Sequence, residues 1–150
     1  MSKYDKLFQT YAKSTEKLTP VEALFAITLI VVYADGQMSE QQSELLHELM
    51  ASGAMKGYAA EDIHKISAKV DKIWDRQGTS ALFNAAIEAL PDDMVEGAFA
   101  VAATFAIVDG KVTPEESHYL DRLAQALKIP AETAPRLIAE AWEIIGDRNN

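Results

Sequence analysis

The chain has 150 residues with 49% apolar content, enough for one domain with a sizeable core, so neither a disulfide nor a structural metal is needed for folding. Its 23 acidic residues outnumber 14 basic ones, giving a net charge of −9; this argues against nucleic acid, which needs clustered Lys and Arg, and against wholesale adhesion to anionic lipid. The absence of Cys excludes disulfides, thiolate metal sites and thiol redox chemistry.

Along the chain the pattern is helical, with no sustained strand alternation. Tyr4, Leu7, Phe8 and Tyr11 are spaced as one face of a short first helix. Its other face is rich in Lys (Lys3, Lys6, Lys13, Lys17). The face pattern fits a helix covering the bundle better than one anchored on a membrane, for which the charges are too few. The opening residues lack the apolar core of a signal peptide. Thr19-Pro20-Val21-Glu22 reads as a capping box that opens a very apolar helix to about Ala34, and Asp35-Gly36 ends it. Ser39 caps a third helix with Leu45, Leu46, Leu49 and Met50 on one face, ending at Gly53. A fourth helix, about Ala60 to Arg76, places Ile63, Ile66, Val70, Ile73 and Trp74 inside. A fifth starts at Thr79 or Ser80, carries Leu82, Phe83, Ala86, Ile87 and Leu90, and ends at Pro91.

The pattern then recurs 74 residues on. Asp93-Met94-Val95-Glu96 reads as a second capping box before an apolar helix to Val108, and Asp109-Gly110 ends it. Thr113-Pro114-Glu115-Glu116 caps a helix with Leu120, Leu123 and Leu127. After Ile129-Pro130, a last helix from near Thr133 carries Leu137, Ile138, Ala141, Trp142 and Ile145, stopped by Gly146. The two tryptophans, Trp74 and Trp142, read as core anchors. Val21 matches Val95, Phe25 matches Phe99, Asp35-Gly36 matches Asp109-Gly110, and Ser39 matches Thr113. These spacings predict an all-α fold, a compact bundle of about seven or eight helices in a single domain over residues 1–150. Within it lies a duplicated helix–(Asp-Gly turn)–helix unit at about 19–52 and 93–127. The longest apolar stretches, Ala23 to Ala34 and Gly97 to Val108, are shorter than the roughly 20 residues of a membrane span. A cytoplasmic protein is therefore expected.

Each repeated turn reads Asp-Gly-x-apolar-Ser/Thr-x-x-Gln/Glu, like the second half of an EF-hand loop. The first half does not fit, because Val31, Tyr33, Phe105 and Ile107 stand where calcium-binding carboxylates belong. Capping alone explains the glycines, Ser39, Thr113, Gln42 and Glu116. It leaves Asp35 and Asp109 at the unfavourable negative ends of helix dipoles. Carboxylates gather near both turns: Asp35, Glu40 and Glu44 at the first, Asp109, Glu115 and Glu116 at the second. These six are the candidate ligands of a hard divalent cation such as Ca²⁺, Mg²⁺ or Mn²⁺, or the candidate docking face for a basic partner.

The apolar helix, the Ala34-Asp35-Gly36 turn and the Glu-rich helix that follows, repeated in a helical chain of this length, resemble the tellurite-resistance TerB-like family from about Thr19 to Leu127. Related domains are fused to membrane-anchored J-domain cochaperones. The resemblance implies two pseudo-symmetric helical units and a stress-response role beside other tellurite-resistance proteins, some of them membrane-embedded. That places the protein in the cytoplasm, with the inner face of the membrane as the alternative. It also implies metal binding through acidic residues near the turns, here Asp35, Asp109 and Glu116. Gln42 stands where a Glu is usual, leaving Glu40 and Glu44 as substitutes.

All three histidines follow a Glu by three residues (Glu44-His47, Glu61-His64, Glu115-His118), the ligand spacing of di-iron carboxylate bundles. His47 and His118 lie off the apolar stripes of their helices, which favours exposed helix-surface pairs. The expected function is therefore a non-catalytic adaptor without a certain cofactor, binding protein partners and no nucleic acid. The competing class is a metal-dependent carboxylate-bundle enzyme, a hydrolase or a di-iron type, with a metal-bound water as nucleophile.

Overall fold

Local capping chemistry starts the first helix where the sequence places it. In the computed structural model, which describes residues 17–34, 36–51 and 60–148, α1 spans Pro20–Val32 behind Thr19. Thr19 Oγ1 accepts from the Glu22 N–H at 3.3 Å, and Glu22 Oε1 accepts from the Thr19 N–H at 2.8 Å. Lys69 Nζ donates to the same Oε1 at 3.0 Å and to the Lys17 carbonyl at 2.9 Å, tying the start of α1 to a neighbouring helix. Burial pushes the Glu22 carboxyl up, but the Thr19 N–H and Lys69 outweigh it and hold its pKa below the ordinary value. The stabilisation from this depressed pKa is present at neutral pH and is lost as pH falls through the carboxylate range.

The remaining described helices are α2 (Glu40–Ala51), α3 (Ala60–Ala89), α4 (Val95–Ile107), α5 (Pro114–Ala126) and α6 (Thr133–Arg148). No strand occurs among the described residues. The all-helical class agrees with the sequence pattern, although six helices are described where about seven or eight are expected. The expected first helix over Tyr4 to Tyr11, the end at Gly53 and the turn residue Asp35 lie outside the described residues. The two helices expected on either side of Gln77 form the single run α3, whose backbone breaks at Gly78 with φ 90° and ψ 170°. A residue with a side chain is strained in that conformation, which explains Gly there. Trp74 Nε1 spans the break, donating to Thr79 Oγ1 at 2.8 Å.

Helices α1 and α4 pack on each other and form the centre. Apart from Glu22, α1 carries no charge, and its residues from Phe25 to Val32 are all buried. Such all-round burial suits only a central helix. Thr28 and Thr104 are accommodated because each hydroxyl donates at 2.8 Å to the carbonyl four residues back. α3 lies against α1, α6 lies against α4, and α5 touches both central helices. Tyr119 of α5 is fully buried, edge-on to Phe83, and its hydroxyl donates to the Ile27 carbonyl at 3.3 Å.

Three expectations are corrected. Asp93 does not cap α4: residues Asp92–Met94 form a 3₁₀ turn that runs straight into the helix, and Met94 at the cap position makes no side-chain bond. A backbone already helical at Asp93 leaves no room for the extended cap geometry. Trp142 is not a core anchor and is 40% exposed, because the buried stripe of α6 is Leu137, Ala141 and Ile145. Gly146 does not stop α6, which continues to Arg148. No described helix is long and apolar enough to cross a membrane.

Candidate functional site

The two Asp-Gly turns are built by the same local rules. After α1, Tyr33 closes the helix and the Gly36 N–H donates back to the Tyr33 carbonyl at 3.0 Å, with Gly36 at φ 104°. After α4, the Gly110 N–H donates to the Ile107 carbonyl at 2.8 Å, with Gly110 at φ 87°. Both are left-handed positions, which favour Gly. Met38 and Val112 follow, each half-buried against the core. Ser39 and Thr113 then cap α2 and α5. Ser39 Oγ accepts from the Gln42 N–H at 3.1 Å, and Gln42 Oε1 accepts from the Ser39 N–H at 3.0 Å. Thr113 Oγ1 accepts from the Glu116 N–H at 3.1 Å, and Glu116 Oε1 accepts from the Thr113 N–H at 2.9 Å. Both expected capping boxes therefore form.

The structure also joins the turns to each other. The Ser39 hydroxyl donates to Asp109 Oδ1 at 2.9 Å. Gln42 Nε2 donates to the Phe105 carbonyl at 3.2 Å and to Glu116 Oε2 at 3.4 Å. Gln42 is 1% exposed and Glu116 2%, so this bridge lies in the interior, where an unpaired carboxylate is costly. Glu116 is tolerated because both of its oxygens accept hydrogen bonds and because it sits in the first turn of α5, at the positive end of the helix dipole.

The candidate residues thus divide. Asp109 and Glu116 share one hydrogen-bonded network, Asp109 at its exposed rim and Glu116 in its buried centre. Glu40 and Glu115 are exposed on the first turns of α2 and α5, Glu44 is exposed one turn further along α2, and no contact brings the three together among the described residues. Asp35 lies outside the described residues. Among those residues, no group of three or more His, Asp or Glu side chains is placed to hold a metal ion. Glu44, His47, His64 and Glu115 are exposed, His118 is half-buried, and the Glu61 side chain is not described. Sequence reasoning missed the bridge itself, taking Gln42 as a capping partner and Glu116 as a capping partner and candidate cation ligand. The available signal was their matching position in the sequence pattern, 74 residues apart.

A family model described as tellurite resistance protein TerB matches residues 21–139. No curated protein and no solved structure matches the chain. The matched segment contains both turns, all of α2 to α5, all of α1 except Pro20, and the beginning of α6.

Proposed function

Because the chain belongs to the TerB tellurite-resistance family, we propose that it is a non-catalytic adaptor in resistance to tellurite and related chemical stress. It works through the two acidic turns, which we read as copies of one duplicated unit. The observation that supports this most is the Ser39–Asp109 hydrogen bond, which sets the second turn's carboxylate against the cap of the first. Glu40, Glu44, Asp109 and Glu115 are all exposed, so their charge is available to a basic surface of a protein partner, including a membrane-embedded resistance complex at the inner face of the membrane. A hard divalent cation such as Ca²⁺, Mg²⁺ or Mn²⁺ is the second ligand class that these oxygens suit. A chain without Cys has no thiolate with which to reduce or bind tellurium, so its part in resistance is indirect.

The test is tellurite tolerance of cells that depend on this protein, carrying the native chain or Asp35→Asn with Asp109→Asn. Loss of tolerance by a variant that still folds supports the reading, and full tolerance contradicts it. Melting curves in Ca²⁺, Mg²⁺ and Mn²⁺ separate the two ligand classes. A cation at a hundred times its Kd adds about 2.7 kcal/mol of stability, whereas a purely protein-binding face leaves the native melting temperature unchanged.

A further inference from the structure

Away from the two capping boxes, α3 lines a surface cavity of about 340 Å³ with Asp71, Trp74 and Asp75. Its size is at the low end for small-ligand sites. The Trp74 indole N–H is already committed to Thr79, so the indole offers the cavity its π surface and no donor. Tyr33 stands against it, ring centroids 6.1 Å apart and nearly perpendicular, and is 41% exposed although aromatic. Asp71 and Asp75 are one helical turn apart on the same face, where like charges repel. Both are exposed, and neither has an ion-pair or hydrogen-bond partner among the described residues. Lys72 and Arg76 each follow one of them in sequence, a spacing at which helical side chains do not face each other.

Two exposed carboxylates beside an aromatic pair match one chemistry. A cation relieves the repulsion and stacks on the rings. A guanidinium does both best, being planar, weakly hydrated and able to fork onto a carboxylate. We propose that the Asp71–Trp74–Asp75 cavity, with Tyr33 beside it, is a binding site for an arginine side chain displayed by a partner polypeptide. The site goes beyond the turn reading and does not depend on it. The strong acidic balance of the whole chain favours approach of such a partner.

The experiment is a ¹⁵N NMR titration of the full chain with N-acetylarginine amide, with the lysine and citrulline analogues as controls. The expected result is saturable shifts of the Trp74 indole N–H and of amides 71–75, weaker binding of the lysine analogue, and no binding of the uncharged citrulline analogue. Asp71→Asn with Asp75→Asn, both surface changes, weakens binding by about tenfold. Trp74→Phe, chosen to keep the packing, weakens it by about threefold. Asp109→Asn leaves it unchanged, which separates this site from the turns. The proposal is overturned by the absence of saturable shifts, by shifts confined to the turns, by equal binding of the citrulline or lysine analogue, or by undiminished binding to the Asp71/Asp75 variant.

Discussion

The turn after α1 and the turn after α4 share a left-handed glycine and a capping box behind it, and differ in one atom that matters. Gln42 and Glu116 occupy the same capping position, and each caps with a single side-chain oxygen. The atom left over is an amide nitrogen in one and a carboxylate oxygen in the other, and these two meet. Capping alone accepts either residue at either turn. Joining the turns requires a donor opposite an acceptor, and the unlike pair supplies it. Gln42 is thus the residue that gives the buried Glu116 carboxylate a hydrogen-bond donor from the other turn.

Breaking this asymmetry has the largest expected effect. Gln42→Glu places two carboxylates in one buried bridge and lowers stability by about 3 kcal/mol near neutral pH, measured by urea denaturation. Its sign with pH is diagnostic. Repulsion raises a folded-state carboxyl pKa above the unfolded value, so the stability missing at about pH 7 returns as pH falls through that raised value. Glu116→Gln keeps the cap but sets one amide nitrogen against another, with an expected loss of about 2 kcal/mol by the same measurement. A loss equal to that of an ordinary surface change would mean that the bridge contributes little.

Smaller effects sharpen the likeness between the turns. Gly36→Ala and Gly110→Ala each cost about 1 kcal/mol in thermal denaturation, from φ alone, since an added Cβ meets nothing within 4 Å at either position. Removing either cap, Ser39→Ala or Thr113→Ala, also costs about 1 kcal/mol. The Ser39 loss is coupled to Asp109 by about 0.5 kcal/mol in a double-mutant cycle, because that hydroxyl serves both turns.

What was legible in the sequence follows from the range of the interactions. The Thr19, Ser39 and Thr113 boxes were readable because each joins residues three apart, and the central place of α1 because a nearly uncharged helix has nowhere else to go. Asp93 failed because a 3₁₀ turn satisfies the same backbone before the helix begins. Trp142 failed because it sits one residue from the Leu137–Ala141–Ile145 stripe, and apolar spacing does not fix the edge of a buried face. The Gln42–Glu116 bridge was invisible because it depends on how two distant helices pack.

The central claim is that the two turns are one unit locked by that bridge. A double-mutant cycle on Gln42→Met and Glu116→Met, read by urea denaturation, measures the lock directly because the loss of each cap cancels in the cycle. We expect a coupling of about 1.5 kcal/mol. A coupling of zero would mean that the turns are merely neighbours and would contradict the account.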